Sequence, residues 1–209
     1  FDYPDHPINR GKILDAEQLT SFIAEKGDWG RYKDYDGDFV GYRTIPGTNH
    51  TRAAYFTRGT GHNEMATYSE RGDDWVKNMT RLRNKIDSAR AILPQPVIDR
   101  DASKKIGIIS YGSNDPAIAE GRDMLAANGI ETNYMRVRAL PLAESVREFV
   151  LSHDRVYVIE NNFDGQLAQI IRMEIPEDNR HMLSLACGDT LPMSAQWVFD
   201  QINKVEKQA

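Results

Sequence analysis

From Ile106 onward the chain alternates short apolar runs with amphipathic ones, and that alternation leaves few folds open. Lys105–Tyr111, Thr132–Val137, Arg155–Ile159 and Met182–Ala186 read as strands rich in branched residues. Between them lie helical patterns. Asp115 is the expected N-cap of the first, with Pro116 at its first position, Ile118, Gly121 and Leu125 inward, and Gly129 at its end. Leu142, Val146, Phe149 and Val150 mark the second. Asp164 is the expected cap of the third, with Leu167, Ile170 and Ile171 inward. Ala195, Val198, Phe199 and Ile202 line the last. Four alternations predict an α/β domain with a parallel sheet covered on both faces by right-handed crossovers.

The first half has a different grammar. Twelve of the nineteen aromatic residues fall within residues 1–75, among nine glycines. Glycine supplies turns and aromatics supply buried area where periodicity is weak. Residues 1–72 therefore read as a loop-rich segment pinned by aromatic anchors, of the kind that wraps a partner surface. Two helices are expected there. One lies near 16–26, where Asp15 and Gln18 suit a capping pair, Leu19, Phe22 and Ile23 share a face, and Gly27 ends the run. The other spans 74–93, with Asp73 or Asp74 as cap and Val76, Met79, Leu82, Ile86 and Ala89 repeating at helical spacing. Its other face carries Lys77, Arg81, Arg83, Lys85 and Arg90 and reads as solvated, or as a docking surface for an acidic partner. Pro94-Gln95-Pro96 stops it, and Asp99–Lys105 reads as a linker. The division expected is 1–99 and 100–209.

Charge and cysteine content narrow the function. The net charge of −5 argues against nucleic acid as a partner. No apolar run approaches the roughly 20 residues of a bilayer span. The single cysteine, Cys187, excludes an internal disulfide framework and a cysteine-held zinc or iron–sulfur site within this chain, and it fits a reducing cytoplasm. It is expected to be a buried small hydrophobe. The five histidines are scattered, so no metal site is expected. A chain opening on Phe1 is expected to be part of something longer.

Two places invite chemistry. In a parallel sheet, ligands gather beyond the carboxyl ends of the strands. Those ends are Gly112-Ser113-Asn114, Ala139-Leu140-Pro141, Glu160-Asn161-Asn162 and Cys187-Gly188-Asp189, so Ser113 and Asn114 are candidates for phosphate contact. No Gly-x-Gly-x-x-Gly pattern follows the first strand, which leaves a dinucleotide fingerprint unsupported. The densest polar run is Thr57-Arg58-Gly59-Thr60-Gly61-His62-Asn63-Glu64. Gly59 and Gly61 would let amides converge on an anion, Arg58 would add a fork of donors, and His62, oriented by Glu64, would titrate near neutrality. The same residues also suit an ordinary glycine loop. No nucleophile elbow and no P-loop is present.

Seven stretches then stand in one order: Tyr3-Pro4-Asp5, Arg10-Gly11-Lys12, Tyr42 to Gly47, Tyr55 to His62, Ile109 to Ser113, Arg138 to Pro141, and Val158 to Asn162 with Gly165-Gln166-Leu167. This order resembles the alpha subunit of 2-oxoacid:ferredoxin oxidoreductases, the 2-oxoglutarate type most closely, and specifically its C-terminal part. The resemblance covers nearly the whole chain. It implies a transketolase-C-terminal-like domain at 100–209, preceded by the end of the pyrimidine-side domain and its connection. It implies an oxidoreductase using thiamine diphosphate, magnesium and iron–sulfur clusters, converting a 2-oxoacid and coenzyme A to an acyl-CoA with reduction of ferredoxin. In that family a beta subunit grips the diphosphate and holds a cluster. The Tyr-Pro-Ile-Thr-Pro segment expected near the subunit's N-terminus is missing here, as is any cysteine cluster. The resemblance therefore implies a piece that holds no cofactor alone and is inactive alone, with Arg58, Gly59, Gly61 and His62 nearest the active centre. Two rival readings are a stand-alone coenzyme-binding module at Gly112–Asn114 and a small hydrolase or lyase using His62 and Glu64.

Overall fold

The computed structural model describes residues 9–55, 61–177, 179–189 and 191–208. It forms two compact units, Phe1–Ser88 and Ala89–Ala209.

The first unit holds few regular elements. Helix α1, Ala16–Lys26, starts on the expected capping box and ends at Gly27. It buries Leu19 and Phe22. Around them pack Leu14, Trp29 and Ala53, with Tyr35 and Tyr42 at the edge. The Phe22 ring lies 4.9 Å from that of Tyr35 and 4.7 Å from that of Tyr42. Aromatic anchors thus replace a sheet as the core of this unit, as the composition implied.

Helix α2, Gly72–Ala89, departs from expectation in span and in polarity. The apolar positions expected inward are exposed: Val76, Met79, Leu82 and Ile86, with Trp75 beside them. The residue it buries is Asn78. The reason is what faces the helix. Loop carbonyls point at it, and polar side chains take them: Asn78 Nδ2 donates to the His62 carbonyl at 2.7 Å and Arg81 Nη1 to the Phe39 carbonyl at 2.9 Å. A buried carbonyl without a donor costs about 1–3 kcal/mol, so the helix turns this edge inward. Arg81, expected in solvent, is half-buried as a result.

The second unit is the predicted α/β layer structure. Five strands, β1 (Val97–Asp99), β2 (Ile106–Tyr111), β3 (Thr132–Val137), β4 (Arg155–Glu160) and β5 (Met182–Ala186), lie in the order β1-β3-β2-β4-β5. Four are parallel, and β1 pairs antiparallel with β3. Strand β1 was not expected. Its start falls directly after the Pro-Gln-Pro stop and it takes Asp99 out of the expected linker.

Alternation splits each of the four parallel strands between two cores. Ile109, Met135 and Val158 face α4 (Glu144–Leu151) and α5 (Gln166–Glu174). Ile108, Tyr134 and Tyr157 face α3 (Asp115–Ala127) and α6 (Ala195–Glu206). Two caps differ from expectation. Asp115 lies inside α3, preceded by a 3-10 turn at Gly112–Asn114, and its carboxylate accepts from Tyr134 Oη and Arg136 Nη1, each at 3.0 Å. Asp164 does not cap α5. The fully buried carboxylate of Glu160, at the end of β4, accepts the Leu167 and Ala168 amides at 3.0 and 3.2 Å.

Candidate functional site

The segment after residue 60 folds back on itself as a small hairpin. His62 bridges to Tyr68, the Ser69 amide donates to the Gly61 carbonyl, and the Asn63 side chain accepts the Met65 and Thr67 amides. Gly61 is required here, since a Cβ would sit 2.4 Å from the Ser69 carbonyl oxygen. A second segment, Trp29 to Tyr32, docks against this hairpin through the Tyr32 amide, which donates to the Glu64 carbonyl at 2.9 Å. That contact stacks the Tyr32 ring on the His62 imidazole, with centroids 4.1 Å apart. His62 Nδ1 lies 3.0 Å from the Asn63 carbonyl. A carbonyl only accepts, so Nδ1 carries the proton and Nε2 of the neutral ring keeps its lone pair. Glu64 does not orient the ring: its carboxylate faces Lys77 Nζ at 3.7 Å.

His62 and Gly61 line a cleft of about 430 Å³ together with Trp29, Arg31, Arg52 and Tyr55. Its donors are unusual. Trp29 is 5% exposed, and its indole Nε1 has no hydrogen-bond partner among the described residues; neither has the buried Nε of Arg31. The Arg31 guanidinium lies over the Tyr32 ring at 5.2 Å and the Tyr55 ring at 5.7 Å. Burial, and then the like charge of Arg31, pull Arg81 below the usual guanidinium range. Among the described residues, no aspartate or glutamate lines the cleft. Guanidinium and imidazole side chains with aromatic rings beside them line the cleft, a combination that suits an anion better than a cation. Of the sequence candidates, the structure brings Gly61 and His62 together here; Arg58 and Gly59 lie outside the described residues. Sequence reading missed Trp29 and Arg31. Their signal was the Trp29-Gly30-Arg31-Tyr32 cluster in the aromatic-rich half.

Ser113 and Asn114 belong to the second unit and diverge. Ser113 is exposed. Asn114 is buried, with Nδ2 3.4 Å from Ser110 Oγ, which itself donates to the Ile159 carbonyl at 2.6 Å. Two further rim amides are engaged by neighbouring groups. Asn161 Nδ2 donates to the Leu191 carbonyl and Asn162 Nδ2 to Gln166 Oε1, both at 3.1 Å. Cys187 is buried, and burial pushes its thiol above the usual range. Among the described residues, no group of three or more His, Cys, Asp or Glu is placed to hold a metal ion. Among the described residues, no helix is long and apolar enough to cross a membrane.

No family model matches the chain. A curated relative, the alpha subunit of 2-oxoacid:ferredoxin oxidoreductase 2 from Aeropyrum pernix, is 26% identical over 172 residues, which is 79% of this chain and 25% of that protein. This chain is similar to 2-oxoacid:ferredoxin oxidoreductase alpha subunits. A solved structure shares its fold: 2-oxoglutarate:ferredoxin oxidoreductase from Magnetococcus marinus, with 2-oxoglutarate, coenzyme A and succinyl-CoA bound, superposes with a TM-score of 0.74 at 20% identity. That match covers 92% of this chain and 32% of the solved one. The chain thus spans between a quarter and a third of the length of these proteins.

Proposed function

We propose that the chain is a C-terminal portion of the alpha subunit of a cytoplasmic 2-oxoacid:ferredoxin oxidoreductase, contributing to oxidative decarboxylation of a 2-oxoacid, 2-oxoglutarate by preference, to an acyl-CoA. The observation that carries the reading is the sequence likeness to an alpha subunit over 79% of the chain. The expected partners are the beta subunit, ferredoxin, coenzyme A and the 2-oxoacid. Residues 1–99 then close the pyrimidine-side domain, and 100–209 form the transketolase-C-terminal-like domain.

In such an assembly thiamine diphosphate supplies the electron sink for decarboxylation. Among the described residues no group of three or more His, Cys, Asp or Glu is placed for a magnesium ion, and in this reading the diphosphate is gripped by the beta subunit. What this chain supplies is a face. Gly61 and His62, with Arg58 and Gly59 next in sequence, are turned to substrate or coenzyme in this reading, His62 Nε2 being the proton acceptor. Ser113, an exposed hydroxyl of the second unit, is the candidate phosphate contact there. The chain on its own is inactive.

The test is dye reduction. The purified chain is mixed with 2-oxoglutarate or pyruvate, coenzyme A, thiamine diphosphate, magnesium and methyl viologen, alone and after co-expression with the other segments of its enzyme. The expected result is no reduction alone and reduction in the assembly. Reduction by the isolated chain, or an active assembly that forms without it, overturns the proposal.

A further inference from the structure

We propose that the exposed stripe of α2, formed by Trp75, Met79, Leu82 and Ile86, is a docking seam for an amphipathic helix of a partner protein whose own apolar stripe is flanked by carboxylates. The inference goes beyond the proposed function, which assigns nothing to α2, and does not depend on it.

The four side chains follow at intervals of four, three and four residues. That is the a and d spacing of a helix that pairs with another helix, and it is narrower than the face a helix turns to a globular core. With Val76 beside them, they are between 39% and 60% exposed, so the chain itself does not cover them. The seam runs for about 16 Å, or three turns. It cannot roll inward, because Asn78 and Arg81 on the opposite edge already donate to loop carbonyls that would be left unmet. Charge then selects the occupant. From Trp75 to Ile86 the charged residues are Lys77, Arg81, Arg83 and Lys85, and none is acidic. Lys77 faces Glu64, and Arg81 turns inward. Arg83 and Lys85 remain, both exposed and without an ion pair among the described residues. With Met79 and Ile86 at a and Trp75 and Leu82 at d, Arg83 falls at e and Lys85 at g, the two positions that flank a seam and choose its partner. A second copy would bring the same two cations and no carboxylate between Trp75 and Ile86. An anionic lipid surface would also meet Asp73, Asp74 and Asp87, which bracket the seam, on a chain of net charge −5. A helix with Glu or Asp at e and g answers both cations and covers the stripe.

The probe is a synthetic helix of about three heptads with Leu at a and d and Glu at e and g, which its own charge keeps from pairing with itself; a control helix carries Lys at e and g. Each is titrated at low salt into the 15N-labelled chain, and the indole N–H signals of Trp29, Trp75 and Trp197, assigned by Trp→Phe variants, are followed. The expected result is a saturating shift at Trp75 alone, half-saturated at about 0.1 mM or below, with the Lys helix about 10-fold weaker. Arg83→Glu with Lys85→Glu inverts the preference, and Leu82→Gln with Ile86→Gln abolishes binding of both helices. Unmoved Trp29 and Trp197 signals certify that each variant is folded; Arg83→Gln and Ile86→Ser, single changes at exposed positions, replace any variant that moves them. The proposal is overturned if Trp75 stays still with the Glu helix at about 1 mM, tenfold above that limit. It is also overturned if both helices bind equally, or if the charge-reversed variant keeps the original preference. Two further results overturn it by assigning another occupant. A Trp75 shift on concentrating the chain alone, with a dimer's mass by sedimentation, assigns a second copy. A Trp75 shift with vesicles of phosphatidylcholine and about one-fifth phosphatidylserine, in place of one with the Glu helix, assigns a lipid surface. Docking is read on the chain alone and dye reduction on the assembly, so either result can fail without the other.

Discussion

Replacing Glu160 tests how the second unit starts a helix without a local cap. Its carboxylate is fully buried and accepts two amides at the start of α5, from Leu167 and Ala168. In Glu160→Gln the shape is kept, one oxygen still accepts, and an NH₂ group now confronts the second amide. One charge-assisted bond is lost, about 1.5–3 kcal/mol. The favourable interaction of the carboxylate with the helix N-terminus goes too, up to about 2 kcal/mol in a partly buried geometry. Against this, a buried charge no longer has to be desolvated, which returns part of the loss. The expected net destabilisation is about 2–3 kcal/mol. For a unit of this size each kcal/mol moves the melting temperature by about 4 °C, so the midpoint should fall by about 8–12 °C. Glu160→Leu, which orphans both amides, should cost at least as much. Urea unfolding gives the free energy, and hydrogen exchange at Leu167 and Ala168 locates it, since those amides should lose protection first. A Glu160→Gln protein within about 0.5 kcal/mol of the parent, the range of ordinary surface changes, would refute the cap.

Three further outcomes are expected. His153 is buried between Asn133 Nδ2 at 2.8 Å and the Phe149 carbonyl at 2.6 Å, and burial holds its imidazole below the usual range against the opposing Phe149 hydrogen bond. The unfolded chain therefore protonates first, and stability should fall as pH drops below about 6.5, by at most about 1.4 kcal/mol per pH unit; urea midpoints at falling pH should decline less steeply in His153→Gln, and parallel slopes would contradict this. In Gly121→Ala the new methyl would stand 2.9 Å from Val198 Cγ1 where α3 packs on α6; overpacking of about 1–3 kcal/mol outweighs a helix-propensity gain of about 1 kcal/mol, so thermal melts should show a loss that Val198→Ala relieves. On α2, Val76→Ser with Ile86→Gln should leave the chain's own stability within about 0.5 kcal/mol, because both side chains are exposed; a loss above about 2 kcal/mol would show that the chain buries them.

These predictions sort by what a sequence can carry. The four parallel strands and the helices between them were legible because each buries a continuous run, and the period of the run names the element. Strand β1 was not: three residues show no period, and Val97–Asp99 becomes a strand only because β3 offers an edge. The Glu160 cap was misplaced for a related reason. Local rules look one residue before a helix, whereas this carboxylate reaches the Leu167 amide from seven positions upstream, across a loop that the fold has to close first. On α2 the stripe was legible but its direction was not. Periodicity says which residues share a face, and the carbonyls that turned the other edge inward lie 16 residues from Asn78 and 42 from Arg81. The cleft extends the same logic to function. His62 and Gly61 were legible as residue types in a polar run, but that Trp29 and Arg31 join them along one cleft is a property of three-dimensional neighbours. The aromatic surplus that marked residues 1–75 as a wrapping segment supplies the rings that hold Arg31 in place, so the feature that made this half hard to read as elements is also what builds its site.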